Sequence, residues 1–214
     1  MKSAKSTVLI IAACLLPVFA SAVEHGKSIV WRAAPLPAKH FVISEFGYSF
    51  RLSQSSAPRY GGNRQFHLQW EYGLMKNIKP GWAVGVTGYY SADDDGSRLA
   101  AKLRGRVWLN RHTSVDLGAG PIIQTFSSLI DSAPGLVAGI SLNRSDLISV
   151  GVTLEMIPWE EPLFTGGYTG PPTYRKGTET TMYIGAKFGS YPGAILGVAV
   201  PLAILISEMT RYEP

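Results

Sequence analysis

Charged side chains of both signs recur at alternate positions in several segments of the chain. Successive side chains of a β-strand point to opposite faces, so residues two apart share a face. If these segments are strands, their acidic and basic groups line one common surface. Carboxylates beside Arg, Lys or His on a confined surface can form ion pairs, relay protons or ions, or support acid–base chemistry. The residues on this surface are Glu45, Arg51, His67, Glu71, Lys102, Arg104, Arg106, Asp116, Glu155, Glu179 and Lys187.

The cost of burying charge favours one of these kinds of chemistry. An isolated charge in a narrow protein interior is strongly unfavourable, so we expect the acidic and basic groups to pair. The short connection Asn110–Thr113 should place Arg106 opposite Asp116 on the neighbouring strand. A closed network of ion pairs and hydrogen bonds is therefore the principal interpretation, and a proton or ion path is the alternative.

A catalytic use of this surface would need a nucleophile, a base and an orienting acid within hydrogen-bond reach. His67 and Glu71 are the His and carboxylate closest together on the face, and no Gly-x-Ser-x-Gly motif accompanies them. The run Asp93–Gly96 lacks the spaced ligands of a calcium loop. We therefore expect no catalytic residue, no cofactor and no metal, with an enzymatic role kept as the alternative.

The period of the apolar residues identifies the strands. Between Phe66 and Leu74 the even positions are apolar and the odd positions are polar or small, which an α-helix would not produce. The same alternation recurs in eight segments and predicts an all-β, antiparallel fold. The apolar faces of these segments begin at Val42, Phe66, Trp82, Leu99, Val115, Leu136, Ile148 and Met182.

The connections between the predicted strands differ in length. Tight turns are expected at 77–81, 110–113 and 143–146, and longer loops at 53–63, 91–97, 127–133 and 158–177. Short and long connections therefore alternate along the chain, as is typical of membrane β-barrels with tight turns at one end and longer loops at the other.

The N-terminus has the three parts of a secretory signal peptide. Lys2 and Lys5 precede an apolar run from Val8 to Ala20, and the small residues Ala20-Ser21-Ala22 follow. We predict Sec-dependent export with cleavage after Ala22, and a periplasmic segment over 23–39.

A lipobox-like run that ends at Cys14 leaves a lipoprotein as the alternative form of export. Cys14 is the only cysteine, so cleavage after Ala22 would leave none for disulfides. The chain carries 20 basic and 15 acidic residues, a net charge of +5. This excess is too small to indicate nucleic-acid binding.

The polar face decides whether the barrel meets lipid or water on the outside. It is rich in small residues that suit a crowded lumen, whereas a solvated outer face would carry more Lys and Glu. Aromatic residues such as Trp82 and Phe66 collect at the ends of apolar strands, as at membrane interfaces. Trp108 lies on the polar face and does not fit this pattern. We expect the apolar face to contact lipid; a soluble ligand-binding barrel is the alternative.

The span 40–188 resembles the small eight-stranded outer-membrane proteins, and is similar to the OmpA transmembrane domain, OmpX and OmpW. The stretch TTMYIGAKF, which ends at Phe188, resembles their aromatic-ended last strand, which the barrel assembly machinery recognises. Unlike theirs, this chain continues through an apolar extension, 189–214. Its run Ala194–Ile206 is too short for a comfortable spanning helix, and we favour an interfacial or barrel-packing helix over a ninth strand.

The resemblance and the pattern together imply an eight-stranded transmembrane barrel in a Gram-negative outer membrane, with a lumen closed by paired charges. We expect a structural or surface-contact role through the external loops, and as partners outer-membrane lipid, lipopolysaccharide and the barrel assembly machinery. A lipid-modifying enzyme, of the lipid A deacylase or acyltransferase type, is the second hypothesis. A soluble periplasmic ligand-binding barrel is the third.

Overall fold

The described residues form nine β-strands, in which successive side chains alternate between two faces. The computed structural model describes residues 29–30, 39–53, 66–93, 96–126, 134–163, 173–190, 192–197 and 199. The predicted signal peptide, 1–22, lies outside the described residues. The strands are β1 (Ile29–Val30), β2 (His40–Arg51), β3 (Phe66–Lys79), β4 (Trp82–Asp93), β5 (Gly96–Trp108), β6 (Thr113–Phe126), β7 (Gly135–Arg144), β8 (Ile148–Leu163) and β9 (Thr173–Phe188).

Strands β2 to β9 close into a barrel. Each pairs antiparallel with the next in the chain, and β9 pairs back with β2 from Phe46 to Arg51. Closure removes the free sheet edges that an open sheet would present. The predicted eight-stranded antiparallel barrel is therefore confirmed. One element was not predicted: β1 runs parallel to β2 and pairs with His40 and Phe41.

The tight turns lie where the sequence predicts them. Between β3 and β4, Gly81 has a φ of 86°, which favours glycine. Between β7 and β8, Ser145 and Asp146 have φ values of 53° and 54°, the left-handed pair that matches the twist of a hairpin. The connections between β3 and β4, β5 and β6, and β7 and β8 are consequently short, and they hold neighbouring strands in fixed register. We call the end of the barrel where they lie the turn end, and the opposite end the loop end.

Two of the predicted long loops are wrong. Asp93 pairs with Gly96, so only two residues separate β4 from β5, and 91–97 is not a longer loop. Likewise β8 reaches Leu163 and β9 begins at Thr173, so most of 158–177 is strand. In both hairpins the backbone pairing continues beyond the apolar alternation. The predicted loops were too long because their boundaries were placed where that alternation ends.

Burial is inverted relative to a water-soluble protein. In β5 the side chains of Arg98, Lys102, Arg104 and Arg106 are buried, whereas that of Leu103 is 72% exposed. The polar face therefore fills the lumen, and the apolar face forms the outer wall.

Two apolar clusters lie inside the barrel. The cluster at the turn end contains Phe41, Ile43, Met75 and Ala83, with Trp108 packed against it. The loop-end cluster consists of Tyr89, Ala100, Ile122, Val137 and Ile157. The position of Trp108 on the polar face, which did not fit the sequence pattern, is thus explained, because its ring packs against Phe41 inside the barrel.

The C-terminal extension begins as a helix. Residues 190, 192–197 and 199 are helical, and the amide of Gly193 donates a hydrogen bond to the carbonyl of Gly189. The helix expected in this extension is present over these residues, and 200–214 lie outside the described part. Within the described residues, no helix is both long enough and apolar enough to cross a membrane. We call the described helical residues 190, 192–197 and 199 helix α1.

Candidate functional site

A network of charged side chains fills the middle of the lumen. Its members come from β2, β3, β5, β6, β9 and the turn between β7 and β8, and all are buried. Basic and acidic groups are equal in number, so the network carries no net charge when every group is ionised. They are Lys102, Arg104, Arg106 and Lys187, with Glu45, Glu71, Asp116 and Asp146.

Arg104 is the centre of this network. Its guanidinium donates to Glu45 Oε1 at 2.5 Å and to Glu71 Oε2 at 3.2 Å. It also donates from Nε to Asp116 Oδ2 at 2.7 Å. These carboxylates stand on β2, β3 and β6, so one side chain connects three other strands across the lumen. The planar guanidinium has enough donors for this, whereas a lysine would not reproduce the geometry.

Arg106 links the network to the turn end. It donates to both oxygens of Asp116, at 2.6 and 2.7 Å, and to Asp146 Oδ1 at 3.0 Å. Its guanidinium carbon lies 5.2 Å from the Trp108 ring centroid and 5.5 Å from that of Phe41. The contact between Arg106 and Asp116 that we expected from the sequence is present. Asp146 was not among the expected residues, since the sequence indicated only a turn there.

Two lysines complete the network. Lys102 Nζ lies 3.0 Å from Glu71 Oε1, and Lys187 Nζ lies 2.9 Å from the same atom and 2.8 Å from Glu45 Oε2. A Cβ at position 47 would lie only 2.2 Å from Lys187 Cγ. Gly47 therefore provides the space through which the lysine stem reaches the two carboxylates.

A second group of polar residues surrounds Glu155 nearer the loop end. Its Oε1 accepts hydrogen bonds from the Tyr89 hydroxyl at 2.7 Å and the Ser91 hydroxyl at 3.0 Å. Arg98 Nη1 lies 3.3 Å from Glu155 Oε2 and donates to Asp93 at 2.7 Å. The predicted residues Glu155 and His67 belong to this group.

Arg51 and Glu179 form a separate ion pair towards the loop end. The Arg51 Nη2 group also donates to the Thr181 hydroxyl at 3.1 Å. These two predicted residues thus pair with each other across the closing seam between β2 and β9, and not with the central network.

Ser49, His67 and Glu155 are arranged in the order of a nucleophile, a base and an acid. Ser49 Oγ lies 2.9 Å from His67 Nδ1, and His67 Nε2 lies 3.3 Å from Glu155 Oε1. The imidazole stacks on the Tyr183 ring with 3.9 Å between centroids. Sequence reasoning grouped His67 with Glu71, but the structure places Glu71 in the central network. The grouping with Ser49 depends on strand register, which residue types alone do not reveal.

Accessibility argues against catalysis by this arrangement. The side chains of Ser49, His67 and Glu155 are fully buried, and Gln69 Nε2 already donates to Ser49 Oγ at 3.0 Å. A nucleophile must come within bonding distance of a substrate atom, and among the described residues these contacts enclose Ser49 Oγ. Ser49 therefore links Gln69 and His67 in a hydrogen-bond chain.

A small cavity lies within the described part of the lumen. A cavity of about 20 Å³ lies beside the central network, lined by residues that include Gln69, Lys102, Thr153 and Lys187. Such a volume accommodates about one water molecule. Among the described residues, no group of three or more His, Cys, Asp or Glu side chains could hold a metal ion. The part of the lumen that the structure describes is thus filled by side chains.

The outer wall has the opposite character. Large apolar side chains are exposed on every strand of the barrel, which an isolated surface in water would not favour. They include Phe50, Leu74, Val86, Leu103, Leu117, Ile140, Val150 and Ile184.

Comparisons with known proteins add little to this picture. No protein-family model matches the sequence, and no curated protein matches it. One solved structure with a similar fold is described as "De novo design of transmembrane beta-barrels". The match covers 73% of this chain and 99% of the designed chain, with 9% sequence identity and a TM-score of 0.37.

Proposed function

We propose that the protein is a non-enzymatic outer-membrane barrel with a sealed lumen, which serves envelope structure or surface contact through its loop end. The observation that carries this proposal is the inverted burial of the strands. Leu103 is 72% exposed on the outer wall between the buried Lys102 and Arg104. In water this arrangement would expose a continuous apolar surface, whereas in a bilayer that surface meets hydrocarbon.

The length of the apolar wall supports a membrane environment. Outward apolar residues run from Leu99 to Val107 along β5 and from Ile148 to Pro158 along β8. A tilted strand needs about 9–11 residues to cross the hydrocarbon core. The apolar stretches of the barrel therefore have the length that a bilayer requires.

Aromatic residues at the strand ends support the same placement. Tyr48, Phe50 and Phe66 pack together towards the loop end, with ring centroids 5.2 to 5.9 Å apart. At the turn end the Lys79 ammonium lies 5.5 Å from the Trp82 ring centroid. Amphipathic rings and long basic side chains are typical of the boundary between hydrocarbon and head groups.

The filled lumen favours a structural role over transport. Wide aqueous channels are found in barrels of about 16 strands or more, whereas eight-stranded barrels are filled by side chains. Here the central ion pairs lie between the apolar clusters around Trp108 and Ile157. A pore through this interior would require many buried pairs to separate together.

The loop end offers a surface for contact. β7 pairs with β8 only as far as Met156, and β2 pairs with β9 only as far as Tyr183. The β8–β9 ribbon therefore extends beyond these pairings, as far as Leu163 on β8 and Thr173 on β9. It exposes polar groups, among them the ion pair of Lys176 and Glu160, 2.6 Å apart, and we propose that such groups contact lipopolysaccharide or a protein partner.

Membrane fractionation tests the proposal. The full chain should be exported with loss of residues 1–22, remain with outer-membrane fragments after carbonate washing, and migrate faster on gels before heating than after it. Insertion by the barrel assembly machinery predicts that depletion of that machinery reduces the heat-modifiable form. A protein that is released in soluble form by osmotic shock would contradict the membrane proposal and favour the soluble ligand-binding barrel.

A further inference from the structure

The seam that closes the barrel is shorter than the neighbouring seam. β2 pairs with β3 from His40 to Phe50, but in the described residues it pairs with β9 only from Phe46 to Arg51. β1 covers the same edge at His40 and Phe41. The part of this edge between Phe41 and Phe46 has no strand partner among the described elements. Unpaired backbone groups are strongly unfavourable in hydrocarbon.

Helix α1 lies against this part of the seam. A Cβ at Gly193 would lie 2.4 Å from the Ser44 carbonyl oxygen and 2.3 Å from that of Phe188. A Cβ at Gly197 would lie 2.6 Å from Trp70 Nε1. Both glycines thus contact the barrel wall so closely that a Cβ would displace the neighbouring atoms, which are backbone atoms at Gly193 and the Trp70 ring at Gly197. Their spacing of four places them on one side of the helix, as in the small-xxx-small pattern of close packing in membranes.

The exposure of outward-facing side chains also differs between β2 and β3 near this part of the seam. Val42 and Leu74 are directly paired on β2 and β3 and both belong to the outward face. Leu74 is 47% exposed, but Val42 is only 2% exposed. Ile195, between the two glycines, is 66% exposed. The helix therefore has one side towards the barrel and another towards the surroundings of the barrel.

We propose that helix α1 is an intramembrane latch, which packs through Gly193 at the end of the β2–β9 seam and through Gly197 on Trp70 of β3, and keeps that seam closed. The proposal rests on the proposed membrane placement, because an uncovered strand edge is tolerated in water. The latch begins directly after the last strand, where the Gly189 amide donates to the Leu147 carbonyl in the β7–β8 turn. The helix can therefore pack on the barrel as soon as β9 has paired with its neighbours.

Hydrogen exchange in the full chain, reconstituted into phosphatidylcholine vesicles, tests this latch. Gly197→Leu should separate the helix from Trp70 and raise amide exchange over residues 42–45 about tenfold or more, with little change over 47–50. Leu is a better helix former than Gly, so a loss of protection cannot come from weaker helix propensity. Ile195→Leu, on the exposed side, is the matched control and should exchange like the wild type.

Gly197→Ala provides a milder variant should the leucine protein fail to fold, and we expect a smaller rise at the same amides. Wild-type exchange over 42–45 in a folded Gly197 variant would overturn the latch, as would an equal rise in the Ile195→Leu control. Flotation of the wild-type vesicles separates the two proposals. Protein that does not float with lipid contradicts the membrane placement, whereas floating protein with unchanged exchange contradicts only the latch.

Discussion

Arg106 and Asp116 face each other across the β5–β6 hairpin and share two hydrogen bonds, of 2.6 and 2.7 Å. Asp116 also accepts from Arg104, so one carboxylate serves two guanidinium groups. The two partners are therefore not equivalent. Loss of Arg106 leaves Asp116 with Arg104 but takes a partner from Asp146, whereas loss of Asp116 takes a partner from both arginines, which keep only Glu45, Glu71 and Asp146.

This inequality predicts the order of two mutational effects. Asp116→Leu should lower the free energy of unfolding by about 3–5 kcal/mol, because it removes one of the four carboxylates and leaves the buried network with an excess positive charge. Arg106→Met should cost less, and the double variant should recover part of the loss caused by Asp116→Leu. Denaturant unfolding in detergent measures all three proteins. Additive single effects would mean that the two side chains are not coupled.

The outer wall predicts a different response to charge. Leu103→Arg introduces a cation in the middle of the apolar stretch of β5 and should cost about 2–4 kcal/mol in a bilayer. Leu103→Met keeps the apolar surface and is the control. Folding yield in vesicles, read from heat-modifiable migration, checks the prediction. Equal yields for the two variants would argue that position 103 does not meet hydrocarbon.

The filled lumen predicts very low conductance. Purified protein in a planar bilayer should give no stable large openings, because the central ion pairs and the apolar cluster around Trp108 occupy the path. A protein-free bilayer made with the same detergent is the control. Reproducible openings of porin size would contradict the proposed seal.

The buried serine predicts the absence of hydrolase reactivity. Folded protein in detergent should not be labelled at Ser49 by a fluorophosphonate probe, since the hydroxyl is fully buried and hydrogen-bonded. Ser49→Ala should retain the fold and lose only that local hydrogen-bond chain. Stoichiometric labelling of the folded wild type, absent in Ser49→Ala, would instead support a lipid-modifying enzyme.

The alternation of residues predicts most of the barrel. Even positions from Phe66 to Leu74 and the basic row Lys102, Arg104, Arg106 each define a face, because the side-chain period of a strand is two. The tight turn after β5 also fixes local register, which is why the contact between Arg106 and Asp116 could be anticipated. The ends of the strands were less predictable. β8 continues past its apolar alternation to Leu163, and β9 begins at Thr173, before its own apolar alternation starts.

What only the tertiary structure decides is which side chains meet across the lumen and along the seam. His67 lies on β3 and Glu155 on β8, and Arg104 reaches carboxylates on three other strands. These contacts depend on the stagger with which β9 closes on β2, and strand alternation carries no information about that stagger. The packing of Gly197 on Trp70 has the same origin. The sequence by itself determined which face each side chain belongs to, because that follows from local backbone geometry; closure of the sheet, a non-local event, determined the partners.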